Sequence, residues 1–160
     1  MSRTLLIAQA RFAIEDILFA YAAGIDQGDL ESLGALFSKG EVVMPDGRVL
    51  DGQEAVFNHY RSIMQFYSKK GKAKPYKRHK TTPRTRHINS NVRFEFDNAV
   101  QSAQVNSDFT AYQQVKKKVH IIAGGRYADQ FERDIHGWYV VRRTIHFDQQ
   151  GDMSAHLSSL

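Results

Sequence analysis

Apolar positions in the first part of the chain recur at steps of three and four: Ile7, Ala10, Ile14, Ile17, Leu18, Tyr21 and Ile25. That period predicts an amphipathic helix from about Leu5 to Ile25. After Gly28, "QGDLESLGALF" predicts a second helix with Asp29 as its N-cap and Leu30, Leu33, Leu36 and Phe37 on one face. "EVVMPDGRVLDG" predicts a short hairpin turning at Asp46–Gly47. "QEAVFNHYRSIMQFY" predicts a third helix with Val56, Tyr60, Ile63, Met64 and Tyr67 inward. The period then shortens to two. "RHINSNVRFEF", "SAQVNSDFTAYQQ", "VHIIAGGRYADQFER" and "GWYVVRRTIHFDQ" predict four strands in series, turning at Asp97–Asn98, Lys116–Lys118 and His136–Gly137. Gly124–Gly125 in mid-strand marks a bulge or bend. Helices followed by an antiparallel meander predict one α+β domain over residues 1–160, with the helices on one face of a strongly curved, mostly antiparallel sheet. Such a cone encloses a pocket where small ligands sit.

The first of these strands has an unusual polar side. In "TRHINSNVRFEFD", Ile88, Val92, Phe94 and Phe96 occupy one face of the alternation, with His87, Asn89, Asn91 and Arg93 on the other. A water-facing side would carry Lys, Glu and Thr. An imidazole and two amides suit a polar pocket instead.

Charge changes the picture only locally. The chain carries a net charge of +5, but residues 69–86, "KKGKAKPYKRHKTTPRTR", hold nine Lys/Arg and no Asp/Glu. The remainder has 13 basic and 17 acidic residues, a net of −4, so the positive charge belongs to one segment. With Gly71, Pro75 and Pro83 it reads as an exposed basic loop: either a solvated connection, or a lid that attracts an anionic ligand. Nothing resembling a helix-turn-helix or an RNA-binding signature accompanies it, so nucleic acid is not expected as a partner. No apolar run is long enough for a membrane span. The N-terminal apolar stretch is broken by Arg11, Glu15 and Asp16, which argues against a signal-peptide core. With no cysteine there are no disulfides, thiolate chemistry or cysteine zinc sites, and a cytoplasmic protein is expected. Seven scattered histidines show no ligand-spaced motif, and no glycine-rich phosphate loop or nucleophile elbow is present. Neither a metal nor another cofactor is expected.

"AYAAGIDQGDLESLGALF", "RVLDGQEAVFNHY", "TRHINSNVRFEF", "GGRYADQFER" and "GWYVVRRTIHFDQ" together resemble the SnoaL-like branch of the nuclear-transport-factor-2-like superfamily. The resemblance spans nearly the whole chain, leaving out the basic loop and the last residues. Within that branch the chain is similar to scytalone dehydratase, bile-acid 7α-dehydratase and the lindane dehydrochlorinase, cofactor-free lyases built on a histidine base paired with an aspartate. The resemblance implies His87 as that base, Asp26 as its partner and Tyr21 as a pocket hydroxyl. Asp26 could equally be plain turn chemistry in "DQGD", although a carboxylate at a helix C-terminus lies at the unfavourable end of the dipole. The resemblance also implies pocket roles for Asp108 and Arg133, and Asn91 joins them from the polar strand face. Scytalone dehydratase uses a second histidine for which this chain shows no counterpart. The activity implied is a cofactor-independent dehydratase or isomerase acting on a small polycyclic or aromatic substrate, in a homodimer or homotrimer. The back half alone also resembles the small β subunit of ring-hydroxylating dioxygenases, which implies a non-catalytic scaffold as the alternative.

Overall fold

The computed structural model describes residues 1–158. Helix α1 runs Arg3–Asp26, opened by the Ser2 hydroxyl, which accepts from the Leu5 N–H at 3.3 Å. Its predicted face is the buried one: Ile14 and Leu18 are fully enclosed, as are Leu30 and Leu33 of helix α2 (Leu30–Ala35). Asp29 caps α2 by accepting from the Ser32 N–H at 3.1 Å. Between the two helices Gly28 has φ +66°, and a side chain there would run into the Thr81 carbonyl at 2.1 Å. Only glycine allows both the turn and that close approach.

Strands β1 (Glu41–Val43) and β2 (Val49–Asp51) form the predicted hairpin, and helix α3 (Gly52–Ile63) follows. Helix α3 stops earlier than its periodicity predicts. Met64 turns extended and bridges to Leu157, and β3 (Phe66–Tyr67) pairs with β4 (Ala73–Lys74). Chain from residues 151–158 competes for the backbone here: Gln65 N–H donates to the His156 carbonyl and Ser158 N–H to that of Ile63. Tyr67 is buried as predicted, but from a strand.

The four long strands are β5 (Thr85–Phe96), β6 (Ser102–Gln113), β7 (His120–Asp134) and β8 (Gly137–Gln150). They form one six-stranded mixed sheet in the order β2-β1-β8-β7-β6-β5, with β1 parallel to β8 and every other pair antiparallel. The sheet is open, and α1 packs across its β5 edge. The predicted irregularity at Gly124–Gly125 is a register shift against β8. A Cβ on Gly125 would lie 2.0 Å from the His146 carbonyl and 2.8 Å from the Phe109 ring.

Strand β5 departs from a single alternating pattern. Its register against β6 shifts between Ser90 and Arg93, and Asn91 has φ +50°. The bulge exchanges the faces. Before it, Thr85, His87 and Asn89 point inward and Ile88 is 49% exposed; after it, Val92, Phe94 and Phe96 pack against the core.

The basic segment is more structured than a plain loop. Residues 73–74 form β4, residues 85–86 open β5, and Thr81, Pro83 and Thr85 are buried. Arg78 makes a two-pronged bond to Asp29 (2.8 and 3.2 Å), and the Arg84 guanidinium donates to the Gln114 and Lys69 carbonyls. Lys72, Lys74 and Lys77 remain exposed. Replacing those three with glutamine should change stability by less than about 0.5 kcal/mol in denaturant titration, as for most surface sites. A larger fall would show that their charges help hold the segment down.

Candidate active site

The C-terminal end of α1 and the first turn of β5 meet at Asp26 and His87. The His87 Nδ1–H donates to Asp26 Oδ1 at 2.7 Å, the His87 backbone N–H donates to Oδ2 at 2.8 Å, and the Thr85 hydroxyl donates to Oδ1 at 2.7 Å. Both side chains are sequestered, at 8% and 4% exposure. Burial alone would raise the Asp26 carboxyl, but the hydrogen bonds from the His87 ring, the His87 backbone and the Thr85 hydroxyl, with the attraction of the imidazole when it is protonated, outweigh it and hold the carboxyl below the ordinary carboxylate range. Three donors thus compensate the unfavourable helix end. An ionised carboxylate only accepts, so the neutral imidazole carries its proton on Nδ1 and offers the Nε2 lone pair.

That bond has a consequence for acid stability. Asp26 binds protons less readily folded than unfolded, so its contribution is complete above the unfolded value near 4 and is lost as pH falls through the lower folded value. Between about pH 5 and about pH 2, the wild type should lose more unfolding free energy than an Asp26→Asn variant. Parallel losses in the two proteins would show that this carboxyl is not linked to folding.

His87 opens onto a cavity of about 570 Å³ between the helices and the concave side of the sheet. Its walls are apolar, among them Ile25, Ile63, Phe109, Ile122 and Ile145, with Asp46 and Arg48 of the β1–β2 hairpin also in the lining. Tyr21 lies in it as the resemblance implies, and its hydroxyl shares a 2.5 Å hydrogen bond with that of Tyr60. Burial raises Tyr21 and pushes Tyr60 well above 10, so both keep their protons. Two hydroxyl protons and one mutual bond leave one proton free to donate.

The other three predicted residues lie outside the cavity lining. Asp108 projects from the opposite side of β6 to Phe109 and Ala111, where it accepts from the Asn91 amide at 2.7 Å. Asn91 is exposed because the bulge turns it out of the face that His87 occupies. Arg133 is exposed near the β7–β8 turn, its backbone N–H bonded to the Gln101 carbonyl.

The fold adds groups that the sequence pattern did not mark as functional. Tyr60 was legible as an inward residue of α3 but not as the partner of Tyr21. His59 joins the lining, its imidazole held low by burial and by Arg48. His156 reaches the cavity from residues 151–158, a segment with no periodic signal, so three histidines line the cavity. Behind Tyr21, Arg143 and Asp129 form a fully buried bidentate pair (2.8 and 2.7 Å). The guanidinium lies over both the Tyr21 and Tyr127 rings, 4.2 and 4.1 Å from their centroids, and the two rings meet edge to face beside it. Alternation with Tyr127 and Phe131 places Asp129 on the inner face, a signal available in the sequence. Among the described residues no three His, Asp or Glu side chains converge within reach of a metal ion, and no helix is long and apolar enough to cross a membrane.

Residues 7–144 match the SnoaL-like domain, and the chain belongs to that family. Solved structures share the fold at low identity. A protein of unknown function from Mycobacterium tuberculosis superposes with a TM-score of 0.71 at 19% identity, covering 93% of this chain and 78% of the other. A scytalone dehydratase-like protein from Novosphingobium aromaticivorans gives 0.69 at 22% identity, covering 93% and 91%. A hexachlorocyclohexane dehydrochlorinase from Novosphingobium barchaimii gives 0.67 at 15% identity, covering 98% and 96%. No functionally curated protein matches the chain in sequence.

Proposed function

We propose that this protein is a cofactor-independent lyase, a dehydratase acting on a small bicyclic or larger ring substrate that carries an activating carbonyl. The observation that carries the reading is the His87 imidazole, fixed by Asp26 through Nδ1 and opening onto an apolar cavity. His87 Nε2 takes a proton from the carbon next to the carbonyl to give an enolate, and as the enolate collapses the new carbon–carbon double bond forms and the β-carbon–oxygen bond breaks. The departing hydroxyl accepts a hydrogen bond from the Tyr21–Tyr60 pair and leaves as water with the proton that His87 collected. Asp26 orients the imidazole and stabilises its cation. The relatives described as a dehydratase and a dehydrochlorinase support elimination. An imidazole that opens onto an apolar cavity favours this reading over a purely scaffolding subunit, in which the pair would only hold α1 to β5.

Proton abstraction can be read without knowing the leaving group. In D₂O, the wild type should introduce deuterium at the α-carbon of a bicyclic ketone such as α-tetralone faster than buffer, followed by NMR. No exchange above buffer, with this ketone and a tricyclic homologue, would overturn the proposal.

A further inference from the structure

The segment after β8 is fastened over one side of the cavity. Gly151 N–H donates to the Ile122 carbonyl, and the Ala155 carbonyl accepts from the Tyr67 hydroxyl at 2.7 Å and from the Gln113 amide at 2.9 Å. The Gln65 amide donates to the Ser154 and Leu157 carbonyls, and Gln65 N–H to that of His156. These bonds seat Met153, His156 and Leu157 in the cavity lining. His156 is 8% exposed, and its ring centroid lies 6.3 Å from that of His87. Its Nδ1 is enclosed with no hydrogen-bond partner among the described residues.

The geometry points to His156 as a second catalytic residue, a neutral hydrogen-bond donor to the carbonyl oxygen of a substrate whose α-proton His87 removes. This rests on the reading of His87 as a base, and it assigns the substrate an oxygen that becomes enolate-like. Carbon–carbon and carbon–oxygen bonds of about 1.5 and 1.2 Å put the proton-bearing carbon about 2.4 Å from that oxygen. With contacts of about 3 Å at each end, a bent path between two imidazoles spans a separation of the observed size. With Nδ1 enclosed and unpartnered among the described residues, we place the proton of the neutral ring on Nε2, the nitrogen that is not so enclosed. Burial, and after it the neighbouring His87, brings His156 down to about 3. The ring therefore stays neutral when His87 becomes a cation, so it does not repel that cation and still presents an N–H. A neutral imidazole in such a site polarises a carbonyl by hydrogen bonding without giving up its proton. In the step, the C–H electrons form a double bond to the carbonyl carbon and the C=O π pair moves onto oxygen as the proton moves to His87, and the His156 N–H bond shortens onto the developing charge. The tyrosine pair is left for the departing hydroxyl.

The test uses α-tetralone exchange in D₂O on the wild type, His87→Ala, His156→Leu and His156→Gln, with circular dichroism as the folding control. Fluorescence-monitored binding of 2-naphthol, a planar bicycle with one acidic oxygen, serves as a readout independent of turnover. His156→Leu should exchange about a hundredfold more slowly than the wild type, the cost of one lost oxyanion donor. It should bind naphthol about tenfold more weakly, and His156→Gln should recover part of both. If His87→Ala is silent while His156→Leu matches the wild type in rate and affinity, His156 only packs and the base reading stands alone. If the wild type does not exchange, or His87→Ala exchanges normally, the base reading fails and the naphthol arm decides. Naphthol affinity unaffected by His156→Leu, or no naphthol binding by the wild type, overturns the donor role.

Discussion

Replacing His87 with alanine should slow α-proton exchange by about 10³-fold or more, within the range general-base catalysis supplies together with positioning. Asp26→Asn should cost less, because the imidazole remains but loses its oriented tautomer and the countercharge that steadies its cation. The double variant should be little slower than His87→Ala, since an orienting carboxylate has nothing to orient once the base is gone. The three rate constants, measured with circular dichroism as control, form a closed cycle. Additive losses would mean the two residues act separately, which the 2.7 Å bond between them argues against. If both single variants unfold, the pair is structural and the scaffold reading gains.

The second large effect is on stability. Arg143→Met leaves the Asp129 carboxylate buried without a partner and removes the cation that lies over the Tyr21 and Tyr127 rings. Removing one member of a buried ion pair costs about 3–5 kcal/mol, which for a chain of this size lowers the melting temperature by about 10 °C or more. Asp129→Leu should cost a similar amount by stranding the guanidinium. Combining the two should restore part of the loss, because apolar replacements of both partners remove the desolvation penalty together with the attraction. A double variant as unstable as the sum of the singles would show that the guanidinium's packing on the two rings matters more than its bond to Asp129.

Much of the fold was legible because local periodicity and burial agree. The faces of α1 and α2, the Asp46–Gly47 hairpin and the four long strands all follow from apolar spacing and turn residues. His87 stood out because an imidazole and two amides share a strand face. Asp26 needed the family resemblance, as nothing local distinguishes it from a turn residue. What stayed hidden depends on non-local contacts. Asn91's left-handed backbone reverses the faces of β5, so parity counted from His87 misplaces Asn91 itself and Arg93, and parity counted back from Phe94 misplaces Ile88. Helix α3 ends where residues 151–158 bring hydrogen bonds from nearly a hundred positions away. The same segment delivers His156, whose sequence neighbours Ser154, Ala155 and Leu157 give no hint of a cavity. Asp108 and Arg133 resemble pocket residues in sequence, but a β6 face and a hairpin end turn them elsewhere.

Strand β5 ends the sheet, so its outer row of amides has no neighbouring strand, the arrangement that invites another chain to pair. Asp26 occupies one of those amides, that of His87, with the oxygen not used by the ring nitrogen. Farther along, the Asn91 bulge bends the edge away from a straight template, and Arg86 and Arg93 place like charges along it. The carboxylate therefore satisfies an amide of this unpaired strand side with the oxygen that the imidazole does not use. Losing it through Asp26→Ala would leave the His87 amide without its side-chain acceptor, so the end of β5 and the orientation of the imidazole are held by the same two oxygens.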